Sequence, residues 1–268
     1  MNRPTGWNVC IPREMALEHP WIIQQELALL QPDHWMDWSH TPITEYPHEL
    51  PGFTPMLWND AHIGSTSTWL RMKRQPGETW LLFNEPERPE QANITPTAAR
   101  IATQGFLRTA WTVGEEFQWA APGISINMTD YSGLEWATEY ARQLRRRGIS
   151  RPSYWHVHAY RSNTANQLRD AWAGWLRWYA IWGGSAPVVL SEVCSENAPL
   201  SQQQHIMDEC REMLRLGENG GVVGVYWFAT HLPPDSVVKW PNACLCAVDL
   251  DAEVVALTPL GEHWKTLK

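Results

Sequence analysis

The chain has 268 residues, of which 44% are hydrophobic and 19% are charged. That balance allows a substantial core and excludes a disordered chain. The formal net charge of -8 argues against nucleic acid or an anionic membrane surface as a partner, because both require a basic face. No apolar run approaches the length of a membrane-spanning helix. We expect one α/β domain over residues 1–268, although two small domains would also fit this length.

The cysteine and tryptophan content further limits the kinds of fold and binding site that this chain can have. Five cysteines, an odd number without zinc-like spacing, favour free buried thiols over a disulfide framework. Free thiols suit a reducing compartment or a fold that needs no disulfides. The first strand-like segment already begins at Trp7, so we expect no signal peptide before it. The 18 tryptophans include core residues and candidates for binding the apolar faces of sugar rings.

Apolar runs alternate along the chain with segments of helical spacing. Eight runs are predicted to be strands: residues 7–11, 34–38, 53–58, 80–83, 123–127, 154–158, 188–191 and 222–228. Helices are predicted over residues 18–30, 68–73, 95–116, 131–147, 165–181, 201–216 and 258–267, with a small hairpin within 244–255. Thr95 and Ser201 are the predicted caps of their helices.

Eight strands separated mostly by helices, in a chain of this length, predict a (β/α)₈ barrel. A doubly wound parallel sheet is the alternative. That fold usually carries a glycine-rich phosphate loop after an early strand, and the sequence has none. In a barrel, the chemistry is expected at the carboxyl ends of the strands.

The apolar run over residues 80–83 ends in Asn84, Glu85 and Pro86. Because Pro86 cannot donate a ladder hydrogen bond, the strand stops here and leaves Glu85 at its carboxyl end. A second glutamate, Glu192, directly follows the run over residues 188–191. Each could be an ordinary solvated strand end, and Glu196 is a nearby alternative to Glu192. At one rim, however, two glutamates can form the carboxylate pair that cleaves glycosidic bonds.

Several stretches carry a resemblance to a known family. In chain order they are Trp35-Met36-Asp37-Trp38, Phe53-Thr54-Pro55-Met56-Leu57-Trp58, Leu82-Phe83-Asn84-Glu85-Pro86-Glu87, Gln91-Ala92-Asn93-Ile94-Thr95-Pro96, Val157-His158-Ala159-Tyr160, Ser191-Glu192-Val193, Tyr226-Trp227-Phe228 and Leu257-Thr258-Pro259-Leu260-Gly261. Their order and spacing resemble clan A of the glycoside hydrolases. More narrowly, they resemble glycoside hydrolase family 128 and its relatives that share the "glycosyl hydrolase catalytic core" domain.

The resemblance implies a retaining hydrolase of β-1,3-glucan without a cofactor. Glu85 would be the acid/base and Glu192 the nucleophile, with their carboxyls about 5–5.5 Å apart. The resemblance also implies substrate-binding roles for six residues: Asn84 at the sugar 2-hydroxyl, His158 and Tyr160 at the nucleophile or the sugar, Trp227 as the floor under the scissile sugar, and Trp38 and Trp58 on the matching aromatic strands.

Some positions depart from the family pattern. Ala159 stands where the family has tryptophan, Asp37 where it has asparagine, and Val193 and Cys194 follow the nucleophile in place of its aromatic and small residues. These departures bear on the shape of the substrate subsites more than on the type of reaction. Two alternatives remain open: a clan A hydrolase acting on another β-linked polysaccharide, such as a xylan or mannan, and a sugar-binding barrel without catalysis.

A metal site is a further alternative. His156 and His158 alternate along one strand and so face the same way, as a pair of metal ligands would. The sequence supplies no convincing further ligands at other strand ends, so we expect no metal. We also expect a monomer that binds a β-glucan polysaccharide or oligosaccharide.

Overall fold

The computed structural model describes residues 4–42, 52–75, 77–114, 117–126, 130–159, 164–217, 221–233, 240 and 242–268. Nine parallel strand segments form its centre. They are β1 (Gly6–Cys10), β2 (Trp35–Met36), β3 (Met56–Leu57), β4 (Thr79–Leu82), β5 (Gln118–Ala120), β6 (Ile124–Ser125), β7 (Trp155–His158), β8 (Val188–Val193) and β9 (Val222–Trp227). An antiparallel hairpin, β10 (Cys246–Asp249) and β11 (Val254–Leu257), follows them.

The parallel strands form two ladders that meet at both ends. One ladder has the order β2-β1-β9-β8-β7-β6, and the other has the order β3-β4-β5. Isolated parallel bridges join the ladders, between Trp35 and Phe53 on one side and between Ala120 and Tyr154 on the other. The strands therefore follow one another around a circuit, with β1 paired to β9, and the predicted (β/α)₈ barrel is confirmed.

The core has an inner and an outer layer, as the alternation of strand side chains requires. Each of the eight strand positions of the circuit contributes one residue to the inner cluster: Cys10, Met36, Met56, Leu81, Ala120, Tyr154, Val189 and Tyr226. Neighbouring residues on the same strands point outward and pack with the helices, as Val9 and Leu82 do. Two cleft residues described below, Trp38 and Trp58, rest on the inner cluster.

Helices surround the strands. They are α1 (Arg13–Glu18), α2 (Trp21–Leu30), α3 (Thr66–Arg74), α4 (Pro96–Val113), α5 (Ser132–Arg146), α6 (Ala165–Trp182), α7 (Leu200–Leu216) and α8 (Pro259–Thr266). Thr95 caps α4 as predicted, because its hydroxyl accepts a hydrogen bond from the Ala98 N–H. In the described part of the chain, no helix combines the length and the apolar character needed to cross a membrane.

Several predicted boundaries need correction. The helix predicted over residues 18–30 begins later, at Trp21, because Pro20 cannot continue a helix and disfavours helical angles at His19. The helix before it, α1, was not predicted and ends at Glu18. Ser201 lies inside α7 instead of capping it, and Pro199 occupies the cap position. The fifth strand begins earlier than predicted and is split, since β5 pairs with β4 whereas β6 pairs with β7.

Candidate active site

The predicted carboxylates meet at the carboxyl ends of the strands. Glu85 follows β4 and is 1% exposed, and Glu192 lies near the end of β8 and is 6% exposed. His158 ends β7 and is the ladder partner of Glu192, so its ring projects to the same side. Three strands separated in sequence thus supply one polar cluster at this end of the barrel.

A β-bulge turns Glu192 toward the interior of the barrel. Val157 pairs with Leu190 and His158 pairs with Glu192, so Ser191 is the extra residue of β8. The register against β9 is irregular over the same stretch. Leu190 packs in the outer layer, and strict alternation would send Glu192 outward as well. The extra residue reverses the alternation, so the Glu192 side chain points into the barrel. Bulges beside active sites often redirect a side chain in this way.

Unusual backbone angles accompany the site. Trp38 (φ 58°), Phe83 (φ 52°) and Glu85 (φ 39°) all adopt the left-handed region, although none is glycine. Such conformations cost about 1–3 kcal/mol each and persist where the surroundings enforce them. The Glu85 N–H donates to the Gly123 carbonyl at 2.8 Å, which fixes this carboxylate to the neighbouring strand position.

His158 joins the two carboxylates. Its Nδ1 lies 3.2 Å from Oε1 of Glu85 and 3.5 Å from Oε2 of Glu192. The other oxygen of Glu192, Oε1, accepts a hydrogen bond of 2.6 Å from the Trp38 indole N–H. Both glutamates are therefore held by hydrogen-bond donors whose own positions are fixed by strand β7 and by the turn after β2.

Further polar side chains support Glu85 and Asn84. Arg88 Nε lies 3.4 Å from Oε2 of Glu85 and adds positive charge beside that carboxylate. Asn84 donates through Nδ2 to Gln91 at 3.0 Å. Its Oδ1 is buried and accepts no hydrogen bond from the described residues, so it remains available to a donor in the cleft.

Burial sets the protonation of the cluster. It raises the pKa of Glu192 to about 7, and the nearby charge of Glu85 acts in the same direction, whereas His158 and the Trp38 N–H oppose the rise. Burial lowers the pKa of His158, but the charges of Glu192 and Glu85 outweigh it and raise that pKa above its ordinary value. The two carboxyls therefore favour the protonated form of His158.

An open cleft of about 710 Å³ lies above this cluster. Its lining combines aromatic and charged residues, among them Arg13, Asp37, Trp38, Trp58, Asn84, Arg88, Glu192, Glu196, Phe228 and Trp240. Phe228 packs edge-on against Trp38, with ring centres 5.7 Å apart, and against Trp240 at 5.5 Å. The cleft can therefore offer apolar walls on either side of a carboxylate.

The predicted site residues differ in their position relative to the cleft. Asn84, Trp38, Trp58 and Glu192 line it, whereas Glu85 and His158 are almost fully buried and are not part of its lining. Tyr160 lies outside the described residues. Trp227 is fully buried in the outer layer, where its N–H donates to the Ala243 carbonyl at 2.8 Å, so it does not form the floor of the cleft. Phe228, the next residue along, faces the cleft instead. Sequence reasoning missed Phe228, Trp240 and Arg88, although the first is adjacent to Trp227 and signalled by its aromatic character.

The two histidines of β7, His156 and His158, differ in their hydrogen-bond partners and in the direction of their pKa shifts. His156 Nδ1 lies 2.8 Å from the Ser191 hydroxyl and Nε2 lies 3.0 Å from the Leu82 carbonyl, so both nitrogens are engaged. Burial lowers the pKa of His156 to about 3, which keeps its ring neutral. Among the described residues, no three His, Cys, Asp or Glu side chains are grouped as metal ligands would be.

The Trp38 N–H offers a direct test of this electrostatic account. A Trp38→Phe variant keeps an aromatic ring, although a smaller one, but loses the donor to Glu192, so the carboxylate is stabilised less. A hydrogen bond to a charged group contributes about 1.5–3 kcal/mol, and 1.36 kcal/mol corresponds to one pKa unit. We therefore expect the pKa of Glu192 to rise by roughly one to two units. A ¹³C NMR titration of labelled glutamate carboxyls measures this pKa.

Trp58→Phe is the matched control, because Trp58 lines the same cleft and rests on the same inner cluster. The Glu192 signal is identified by its loss in Glu192→Gln. An unchanged pKa of Glu192 in Trp38→Phe, or an equal rise in Trp58→Phe, would contradict the role assigned to the indole N–H.

Several solved structures have a fold similar to that of this chain. A glycoside hydrolase family 128 (subgroup I) endo-β-1,3-glucanase from Amycolatopsis mediterranei, in complex with laminaritriose, is 17% identical, covers 98% of this chain and 100% of its own, and has a TM-score of 0.73. A subgroup VI exo-β-1,3-glucanase from Aureobasidium namibiae is also 17% identical, covers 98% and 96%, and has a TM-score of 0.74. A subgroup II endo-β-1,3-glucanase from Pseudomonas viridiflava is 21% identical, covers 97% of both chains, and has a TM-score of 0.69.

At these identities the likeness shows the shared barrel fold. No curated protein sequence matches the chain significantly. Residues 29–261 match the family model described as "Glycosyl hydrolase catalytic core". Since this match spans well over half of the chain and includes Glu85 and Glu192, the protein is a member of the glycosyl hydrolase catalytic core family.

Proposed function

We propose that the chain acts as one catalytic domain over residues 1–268 and hydrolyses β-1,3-glucan with retention of configuration. Glu85 is the acid/base and Glu192 the nucleophile. The observation that carries this proposal is the contact of one nitrogen, Nδ1 of His158, with both carboxyls. The solved relatives of this fold that were crystallised with laminari-oligosaccharides support the choice of glucan.

The His158 contacts bear on the stereochemistry. Because that nitrogen lies 3.2 Å from one carboxyl and 3.5 Å from the other, the two oxygens are no farther apart than the sum of these distances. Retaining glycosidases hold their carboxyls about 5–5.5 Å apart, whereas inverting ones need about 6.5–9.5 Å to admit a water molecule. This upper bound includes the whole retaining range but only the lower edge of the inverting range, which favours direct attack by a carboxylate.

The reaction then follows in two steps. Glu85 gives its proton to the glycosidic oxygen while Glu192 attacks the anomeric carbon, which breaks the glycosidic bond and forms a glycosyl ester on Glu192. Glu85, now ionised, removes a proton from water, and the water oxygen attacks the same carbon and releases Glu192. Trp38 donates a hydrogen bond to Glu192, and the charge of a protonated His158 lies beside the same carboxyl, so both favour its ionised form.

Substrate contacts follow from the cleft lining. Asn84 lines the cleft, and its unused Oδ1 is suited to accept a hydrogen bond from the sugar 2-hydroxyl, an interaction that strengthens in the transition state. Trp38, Trp58, Phe228 and Trp240 offer ring faces and edges to the C–H faces of the sugar. These aromatic walls suit any β-linked glucan, so the linkage has to be tested directly.

The test is release of oligosaccharides from laminarin, with a xylan and a mannan beside it, by the wild-type protein and by Glu192→Ala. Release from laminarin alone, abolished in the variant, is the expected result. Hydrolysis of xylan or mannan alone, lost in the same variant, would keep the mechanism and overturn the substrate. Binding of a glycan by both proteins without any product would instead establish a sugar-binding barrel.

A further inference from the structure

We propose that Arg13 and Asp37 form a positioning pair that sets the orientation of Trp38 and, through it, the nucleophile. The inference rests on the proposed function, because it takes Glu192 to be the nucleophile. Neither Arg13 nor Asp37 contacts Glu192 in this arrangement. Their effect passes through the backbone turn that carries Trp38.

Arg13 begins α1, directly after β1, and reaches across to the turn that follows β2. Its Nη1 lies 2.7 Å from Oδ2 of Asp37 and also donates to the Thr41 carbonyl at 3.1 Å. Oδ1 of Asp37 accepts a hydrogen bond from the Ser39 N–H at 3.2 Å. The Arg13 guanidinium thus contacts residues that precede and follow Trp38 in the chain.

This turn needs such support. Trp38 holds a left-handed backbone angle, φ 58°, which a residue with a large side chain adopts only when its surroundings enforce it. From that backbone the indole N–H reaches Oε1 of Glu192 at 2.6 Å. A shift of the turn by a fraction of an ångström would lengthen this bond and turn the carboxylate away from its line of attack.

The buried negative charge of Asp37 explains why this turn requires Arg13. The Asp37 side chain is fully buried, whereas that of Arg13 is 30% exposed at the cleft. Removing one partner of a buried ion pair is strongly destabilising, so loss of the Arg13 guanidinium would drive the turn to rearrange. An asparagine at this position would be neutral and would need no counter-ion. The aspartate of this chain therefore makes the site depend on a cation that an asparagine would not require.

The decisive experiment separates charge compensation from sugar binding. Arg13→Met is expected to lower kcat about 100-fold with little change in KM, in line with the cost of a small misplacement of a catalytic group. Asp37→Asn alone should lower kcat only a fewfold. The double variant should return to within a fewfold of wild type, because the neutral amide needs no partner. Arg169→Met, which removes an exposed arginine paired with Glu209, is the control and should leave kcat unchanged.

A double variant as slow as Arg13→Met would overturn the proposal. A rise in KM at constant kcat in Arg13→Met would overturn it as well, since it would mean that Arg13 binds the sugar directly. If Arg13→Met does not fold, the double variant decides alone, since a fast double variant supports the pair and a slow one refutes it.

A second readout needs no activity and so separates this inference from the proposed function. The ¹⁵N–¹H indole signal of Trp38, identified by its loss in Trp38→Phe, reports the hydrogen bond to Glu192. We expect this signal to shift in Arg13→Met and to return in the double variant, even if no glycan is hydrolysed. An indole signal that is unchanged in Arg13→Met would refute the pair while leaving the hydrolase assignment intact.

Discussion

Glu192→Ala should lower kcat on laminari-oligosaccharides by roughly 10⁴-fold or more, because it removes the nucleophile and leaves no other group to form the covalent intermediate. The same variant leaves an empty space beside the anomeric carbon. Azide can enter that space and attack the carbon directly, provided that the substrate has a leaving group such as an aryl alcohol. We expect azide to restore turnover and to give the α-glycosyl azide, which mass spectrometry and NMR identify.

Glu196→Ala is the matched control for this prediction, because Glu196 lines the same cleft four residues farther along the chain. It should keep kcat within a fewfold of wild type. Loss of activity in Glu196→Ala together with activity in Glu192→Ala would exchange the assignments of these two glutamates.

Glu85→Ala should show a different pattern, set by the leaving group. General acid catalysis contributes about 10²–10⁴-fold, so hydrolysis of laminarin, whose leaving group is a sugar alcohol, should fall by that factor. A 2,4-dinitrophenyl β-glycoside needs no protonation to depart, so formation of its glycosyl ester should be nearly unaffected. The basic limb of kcat/KM for laminarin should also disappear, because the group that must carry a proton for this substrate is gone.

Azide also distinguishes a retaining from an inverting mechanism in this variant. In Glu85→Ala, azide should intercept the glycosyl ester on Glu192 and give the β-glycosyl azide, with net retention. The α-azide from this variant would mean that no ester forms, and would argue for an inverting reaction. Glu90→Ala is the control, since Glu90 lines the cleft and pairs with Arg88 but is remote from the proton transfer in this scheme.

Sequence alone located the two glutamates because each directly follows a buried apolar run, and a parallel barrel brings the ends of such runs together. It could not place Trp227 and Phe228 correctly. Their strand is apolar on both faces, so hydrophobic alternation does not say which of two neighbouring aromatic residues faces inward. The bulge at Ser191 could not be predicted, for the same reason. Without this bulge the Glu192 side chain would point outward, as that of Leu190 does.

Contacts between residues that are far apart in the sequence also leave no pattern in the local sequence. Arg13 and Asp37 are 24 residues apart, and Trp38 and Glu192 are 154 apart. No periodicity relates such pairs, and only the folded barrel reveals them. The split of the fifth strand escaped prediction because β5 is three residues long and is followed closely by Pro122, a pattern that also fits a loop.

The pairing of β1 with β9 has a consequence for synthesis on the ribosome. Gly6–Cys10 emerges early, but the strand that covers one of its edges, Val222–Trp227, emerges only after most of the chain has been made. During that interval the open edge of β1 exposes ladder groups and large apolar side chains such as Trp7. Nascent chains of this protein therefore pass through a long aggregation-prone stage, which makes their yield sensitive to translation rate and to chaperones.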